Sequence, residues 1–331
     1  MPQPHLTFFC ELETDAVRAL FANRAVIDDL VALQASVSLG ILDLSRERAE
    51  AVRQLNRAGV PVIAWLLLPK SQGYWLSLNN AAQAAERYAH FKAWSAEHDL
   101  RWAGVGLDIE FDWRELQQAL TNAWRLLPTV LLRSVDNERL RRAQVEYSAL
   151  VAQMRADGHR VESYVIPFIF DERQAGAALL QRLAGLVDVP ADREVPMLYS
   201  SLLRPRGPGF LWSYAQQVQA VGVGSTGGGV QIEGASLPRP LDWNELARDL
   251  RLARRWVNEI YIFSLEGCVE QGFLRPLRDF DWEQAITPPL EMAAAVEHFR
   301  KGLRGALWLS AHPWTVVGGL LGLWWLRRRF R

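Results

Sequence analysis

Eight short runs rich in β-branched and aromatic residues recur between alanine- and leucine-rich amphipathic stretches, and this alternation constrains the chain more than any other feature. The runs occupy residues 5–13, 35–45, 60–69, 103–112, 163–171, 195–201, 220–225 and 260–266. Strands joined through helices pair in parallel, since a parallel neighbour cannot be reached by a tight turn. Eight such repeats predict an α/β chain folded as a (β/α)8 barrel. An open doubly wound sheet is the alternative, but no G-x-G-x-x-G opens a helix after the first run. The interval between Asp112 and Glu162, interrupted by Pro128, calls for an extra helix. The expected organisation is a barrel over 1–285, a helix or linker over 286–304, a membrane-spanning segment over 305–326 and a basic tail over 327–331.

Side chains alternate faces along a strand, so parity predicts which residues look into the barrel. In the fourth run Val105, Leu107, Ile109 and Phe111 form an apolar row, and Gly104, Gly106, Asp108, Glu110 and Asp112 form the other. Bulky apolar residues suit the helix-facing surface, which turns the carboxylate row toward the axis and the C-terminal mouth, where active sites of this fold lie. The same rule sends Tyr261, Phe263 and Leu265 toward the helices and leaves Ile262, Ser264 and Glu266 inside. In the first run Glu11 and Glu13 share a row with Thr7 and Phe9. Strands one and eight are neighbours in a closed barrel, so Glu11 and Glu266 are expected near the acids of the fourth strand.

Carboxylates two residues apart at a strand end divide labour, because close like charges push their pKa values apart and leave one neutral as an acid. Glycosidic cleavage needs that pair: a proton for the leaving oxygen and a negative group beside the developing oxocarbenium ion. The expected assignment is Glu110 as proton donor, Asp108 as its electrostatic partner and Glu266 as an opposing carboxylate. Glu11 and Ser264 are expected to border the same cleft. Among fourteen tryptophans, Trp75 in the loop after the third run and Trp113 just after the acidic run are placed to stack on a sugar ring. The bland reading of Asp112 is a helix cap at the strand-to-helix junction.

The stretch Gly106-Leu107-Asp108-Ile109-Glu110-Phe111-Asp112 resembles the fourth-strand signature of the chitinase and endo-glucosaminidase family of glycoside hydrolases, D-G-x-D-x-D-x-E. Met197-Leu198-Tyr199-Ser200 is similar to that family's M-x-Y-D. The resemblance implies a (β/α)8 barrel and retaining hydrolysis assisted by the substrate's own acetamido group, with no metal or other cofactor. Carried over directly, it puts Asp108 and Glu110 at the family's paired aspartates and Asp112 at its terminal acid. With a two-residue offset, Asp108-Ile109-Glu110 is the final D-x-E. Tyr199 would match the tyrosine that steadies the acetamido intermediate; Ser200 replaces the aspartate that follows it.

Other constellations point elsewhere. Gly222, Gly224 and Gly227 to Gly229 surround Ser225 and Thr226 at the seventh run, where many barrels bind phosphate, so a phosphosugar-binding barrel is a further alternative. A non-catalytic glycan- or protein-binding module is another. Thirty-seven basic residues balance thirty-seven acidic ones, which argues against nucleic acid as a partner. The histidines lack ligand spacing, and Cys10 and Cys268, near the mouths of neighbouring strands, are expected to be reduced. Residues 305–326 carry no formal charge and end at Arg327, Arg328, Arg329 and Arg331, the pattern of a single span whose partner is a lipid bilayer. With no secretory signal visible, the barrel is expected on the cytoplasmic side.

Overall fold

The computed structural model describes residues 3–230, 238–313, 315 and 328. Eight parallel strands follow the predicted runs: β1 (His5–Cys10), β2 (Ser36–Ile41), β3 (Val62–Leu66), β4 (Gly104–Ile109), β5 (Val161–Val165), β6 (Arg193–Pro196), β7 (Ala220–Gly224) and β8 (Glu259–Phe263). Their order is β6-β5-β4-β3-β2-β1-β8-β7. A single parallel bridge, Met197 to Gly222, joins the two ends, so the eight strands form a nearly closed (β/α)8 barrel.

The helices α1 (Thr14–Ala22), α2 (Arg24–Ala32), α3 (Arg46–Arg57) and α4 (Ala81–Glu97) separate the first four strands. After β4 the chain makes the expected excursion, as α5 (Trp113–Asn122) and α6 (Leu127–Ser134), before the crossover helix α7 (Asn137–Ala156). The remaining helices are α8 (Phe168–Ala175), α9 (Leu179–Ala184), α10 (Gly207–Ala215), α11 (Trp243–Arg254), α12 (Leu265–Glu270), α13 (Leu274–Arg278) and α14 (Leu290–Ala311). Local signals set several boundaries. Ser45 caps α3 by accepting from the Arg48 amide, and Asp242 and Glu245 form a reciprocal capping box on α11.

Two apolar layers result from strand alternation. Val105, Leu107, Ile109, Ile260 and Ile262 pack outward against the helices. Phe9, Trp65, Tyr164, Val195 and Tyr261 fill the barrel axis. The parity expectation therefore holds for β4 and is reversed for β8. Tyr261 and Phe263 belong to the interior, and Ile260 and Ile262 belong to the helix side. The reason is volume and polarity together. Tyr261 donates its hydroxyl to Glu162 at 2.7 Å inside the barrel, and glycines on other strands leave room for large rings. A Cβ on Gly106, for instance, would fall on the Tyr164 hydroxyl.

The axis is stratified. At the N-terminal end Arg193 pairs with Glu259 at 2.8 Å and approaches Glu162 at 3.6 Å. Above it lies the aromatic layer, with the Phe9 ring 4.7 Å from Tyr164 and 5.3 Å from Trp65. The C-terminal mouth opens above these rings.

Helix α14 lies against α8 and α10. Arg300, 1% exposed, donates to Asp171 at 3.0 Å and to the Ser213 carbonyl at 3.0 Å, with its guanidinium 3.8 Å from the Tyr214 ring centroid. Arg304 adds a bond to Asp171 at 3.2 Å. The stretch expected to link barrel and membrane is thus a helix docked through a buried ion pair. Residues 305–311 continue it, with Leu307 buried. No helix among the described residues is long and apolar enough to cross a membrane, and position 314 and positions 316–326 of the expected span lie outside the described residues.

Replacing Gly106 by alanine is expected to displace the Tyr164 ring and its 2.7 Å bond to Ser38, lowering stability by about 1–3 kcal/mol in urea unfolding. Unchanged stability would show that the interior is looser than this packing requires.

Candidate active site

Three carboxyl groups meet at the mouth of the barrel: Glu11 just after β1, Asp108 near the end of β4, and Glu110 just beyond it. They line a cavity of about 590 Å³ floored by Phe9, Trp65 and Tyr164. No arginine or lysine bonds any of the three among the described residues.

The loop after β3 shapes one wall. Gly73 at φ 110° and Tyr74 at φ 61° turn the chain back, and the Leu68 amide closes the turn on the Tyr74 carbonyl at 2.8 Å. A side chain at Gly73 would collide with Asn80. The returning segment then runs beside β4: Leu76 donates to the Asp108 carbonyl at 2.9 Å and accepts from the Glu110 amide at 3.1 Å. This pairing carries Tyr74 and Trp75 to the mouth.

Each acid has its own surroundings. Glu11 accepts from the Tyr74 hydroxyl at 2.8 Å and from the Val230 amide at 3.0 Å. Burial nevertheless outweighs these bonds and raises its pKa to about 8. Asp108 accepts from the Trp65 indole at 3.1 Å through one oxygen, and its other oxygen is buried without a partner. Burial, then the charges of Glu110 and Glu11, push its carboxyl well above the ordinary range. Glu110 is half-buried, has no hydrogen-bond partner for its carboxyl among the described residues, and is raised to about 7 by burial. The three titrate as a set, so at neutral pH the cluster retains protons and carries less than its full negative charge.

Across the cavity stands Tyr199, half-buried, with its ring 5.6 Å from Phe263. Burial and then the three acids hold its phenol protonated. Trp75 lines the cavity and Trp113 packs behind it, the ring centroids 5.5 Å apart and the planes tilted by 56°. Trp113 is thus a buttress, while Trp75 bears on the site.

The remaining expected residues lie elsewhere. Asp112 faces away from the cavity and caps α5: it accepts from the Arg114 amide and from its Nε, each at 2.9 Å, and from Asn79 at 3.4 Å. Burial opposes its charge, but the Arg114 bonds prevail and hold its pKa below the usual value. Glu266 sits in the first turn of α12, where it accepts from the Gly229 amide at 3.2 Å and the Glu11 amide at 3.3 Å. It braces the wall from behind. Ser264 caps α12 and donates to the Gly227 carbonyl at 2.7 Å. The departures of Glu266 and Ser264 share the cause found for β8. With Phe263 turned inward, the residues after it pass behind the cavity.

The glycine loop after β7 contributes backbone to the wall, yet the Gly227 amide is bonded to Ser225 and the Gly229 amide to Glu266. Those amides are committed internally and face an acidic cavity, which disfavours a phosphate cradle. Cys10 and Cys268 are buried free thiols. Parity alone missed Trp65 and Tyr74. A usable signal for Trp65 was its interior register opposite Gly106, one step below Asp108.

No protein-family model matches the chain, and no curated protein matches it. Among solved structures it is similar to a GH18 chitinase from Pseudoalteromonas aurantia (9% identity, TM-score 0.46, covering 83% of this chain and 99% of that one). It is also similar to a xylose isomerase-like TIM barrel protein from Mycobacterium smegmatis in complex with magnesium (12%, 0.47, 84% and 99%). A D-allulose 3-epimerase from Methylomonas sp. is a third (10%, 0.43, 90% and 99%). These likenesses do not go beyond barrel architecture, which the strand pairing of this chain establishes independently.

The raised acids give stability a definite pH dependence. In the unfolded chain glutamates ionise near pH 4.3, whereas native Glu110 and Glu11 keep protons until about 7 and 8. The unfolded chain therefore binds fewer protons between these limits, and stability falls as pH rises from about 4.5 to about 8. Glu11→Gln is expected to flatten the upper part of that slope in thermal unfolding. An unaltered slope would mean that Glu11 is already ionised in the folded protein.

Proposed function

We propose that the mouth of this barrel hydrolyses a glycosidic bond, with Glu110 as proton donor. The observation that carries this reading is the convergence of Glu11, Asp108 and Glu110 in one cavity, beside the aromatic faces of Trp75 and Tyr199, while Arg239, which also lines it, is paired with Glu245 instead. A carboxyl with a pKa near 7 is matched to giving up a proton at neutral pH and regaining it.

In the proposed reaction Glu110 transfers its proton to the glycosidic oxygen as the bond to the anomeric carbon breaks. If the substrate is N-acetylated, its acetamido oxygen closes on that carbon, and the Tyr199 hydroxyl is a suitable donor to steady the resulting ring. Glu110, now a carboxylate, then takes a proton from the water that opens the ring. Asp108, kept protonated above Trp65 by burial and by the charges of Glu110 and Glu11, adds no charge beside Glu110, whose own proton is held by burial. Glu11 replaces Glu266 as the opposing carboxyl and is disposed to bond sugar hydroxyls. The uncharged stretch at 305–326 is proposed to hold the enzyme at a bilayer, with the barrel on the cytoplasmic side.

A second reading, glycan binding without turnover, is favoured by one observation: Asp112, at the family's proton-donor position, is spent on Arg114 and Asn79. Kinetics separate the two. Glu110→Gln is expected to lower turnover of an N-acetylated oligosaccharide by about 10²–10⁴, while Asp112→Asn stays within a few-fold of the parent. Turnover by Glu110→Gln at the parental rate would remove it as the acid. Quenching of tryptophan emission by the oligosaccharide, without any turnover by the parent chain, would establish the second reading.

A further inference from the structure

The excursion after β4 is mounted with its polar face inward. Arg133 is buried, donating to Glu115 at 2.7 Å and to the Leu183 carbonyl at 2.7 Å, and these bonds tie α6 to α5 and to α9. The opposite face is apolar and uncovered. Leu116 and Leu120 on α5, Trp124 in the 3-10 turn at Ala123–Arg125, Leu127 and Leu131 on α6 and Val135 at its end succeed one another at intervals of four, four, three, four and four residues, the helical spacing carried through the turn. Leu116 is half-buried in the cavity wall, and beyond it the stripe is exposed: 43% at Leu120, 81% at Trp124, 44% at Leu127, 57% at Leu131 and 75% at Val135. None of these positions is charged. Five exposed apolar positions within one connection exceed the scattered apolar residues of an ordinary surface.

Charge selects the occupant. Between residues 112 and 142 six arginines face four acids, in a chain whose total charge is zero, and Arg114, Arg133 and Arg141 are paired with Asp112, Glu115 and Glu138. Arg125 and Arg142, both exposed, lie within this stretch. Leucines with one tryptophan, edged by arginines, match the apolar boundary and anionic headgroups of a bilayer. A second copy of the chain fits less well, because two-fold pairing would bring the same basic excess against itself. A sugar polymer fits less well too, since aliphatic side chains offer no hydrogen bonds to its hydroxyls.

We propose that this stripe docks the mouth of the barrel onto an anionic lipid surface and that the substrate is a glycan carried on a lipid, presented from that surface. The identity of the substrate rests on the glycosidase reading of the cavity; the docking does not. Leu116 links the two, being both cavity wall and first member of the stripe.

The test uses the full-length chain and vesicles of phosphatidylcholine and phosphatidylglycerol. A nitroxide attached at Leu131→Cys reports on the excursion whatever else in the chain reaches the bilayer, and the native Cys10 and Cys268 are buried from the reagent. On adding vesicles, the label is expected to become accessible to oxygen and shielded from a water-soluble nickel chelate. A label at Arg18→Cys on α1 should stay aqueous. The double variant Trp124→Asp, Leu127→Asp should abolish the shift at 131 and lower turnover of a vesicle-borne glycolipid about tenfold, with turnover of a soluble oligosaccharide unchanged. A label at 131 that stays aqueous, or spin–spin broadening without vesicles, overturns the docking. Equal losses on both substrates overturn the lipid-carried substrate. A parent chain that docks yet turns over neither substrate upholds the docking and overturns the glycosidase reading.

Discussion

The filling of the barrel axis by large rings governs the rest of this structure. An eight-stranded parallel barrel encloses a fixed, narrow interior, so side chains from different strands share one volume. Phe9, Trp65, Tyr164 and Tyr261 occupy it here, and Gly106 faces the Tyr164 ring because even a methyl group would collide with it. That layer forms the floor of the cavity, supplies the indole bond to Asp108, and removes water from beneath the three acids. Their raised pKa values are thus a consequence of packing before they are a feature of chemistry.

The two ends of the axis use charge in opposite ways. At the N-terminal end Glu162 and Glu259 share Arg193, an arrangement that satisfies buried charge. Arginines likewise partner acids around the outside, as in Arg48 with Asp43 and Arg300 with Asp171. At the mouth no such partner is supplied among the described residues, and Asp108 keeps a buried oxygen without any hydrogen bond. Leaving carboxyls unpaired in low dielectric costs stability. Carboxyls with raised pKa values gathered in one cavity make this mouth the candidate site.

The long connection between β4 and β5 extends that site outward. Its first helix begins with Asp112 as a cap and contributes Leu116 to the cavity, then carries apolar residues away from the barrel instead of into it. Local propensity and global packing disagree along this stretch, because an amphipathic element ordinarily buries its apolar face. The proposed lipid surface resolves the disagreement from outside the chain. Helix α14 shows the contrasting case, where a buried ion pair with Asp171 ties a long helix to its neighbours.

Much of the architecture was legible in the residues themselves. Strand runs, helical crossovers, the acidic row of β4, Glu11 beside it and Trp75 in the loop after β3 are all expressed through local pattern: period-two alternation, turn residues and the parity of one strand. Such signals need no knowledge of the rest of the molecule. The inward turn of Tyr261 and Phe263, the retreat of Glu266 and Ser264 behind the wall, the capture of Asp112 by Arg114, and the recruitment of Trp65 and Tyr74 were decided by the tertiary structure. Which face of a strand turns inward depends on the volume that the other seven leave free, and whether an acid keeps its charge depends on which partners reach it; neither quantity is written in any single run of sequence.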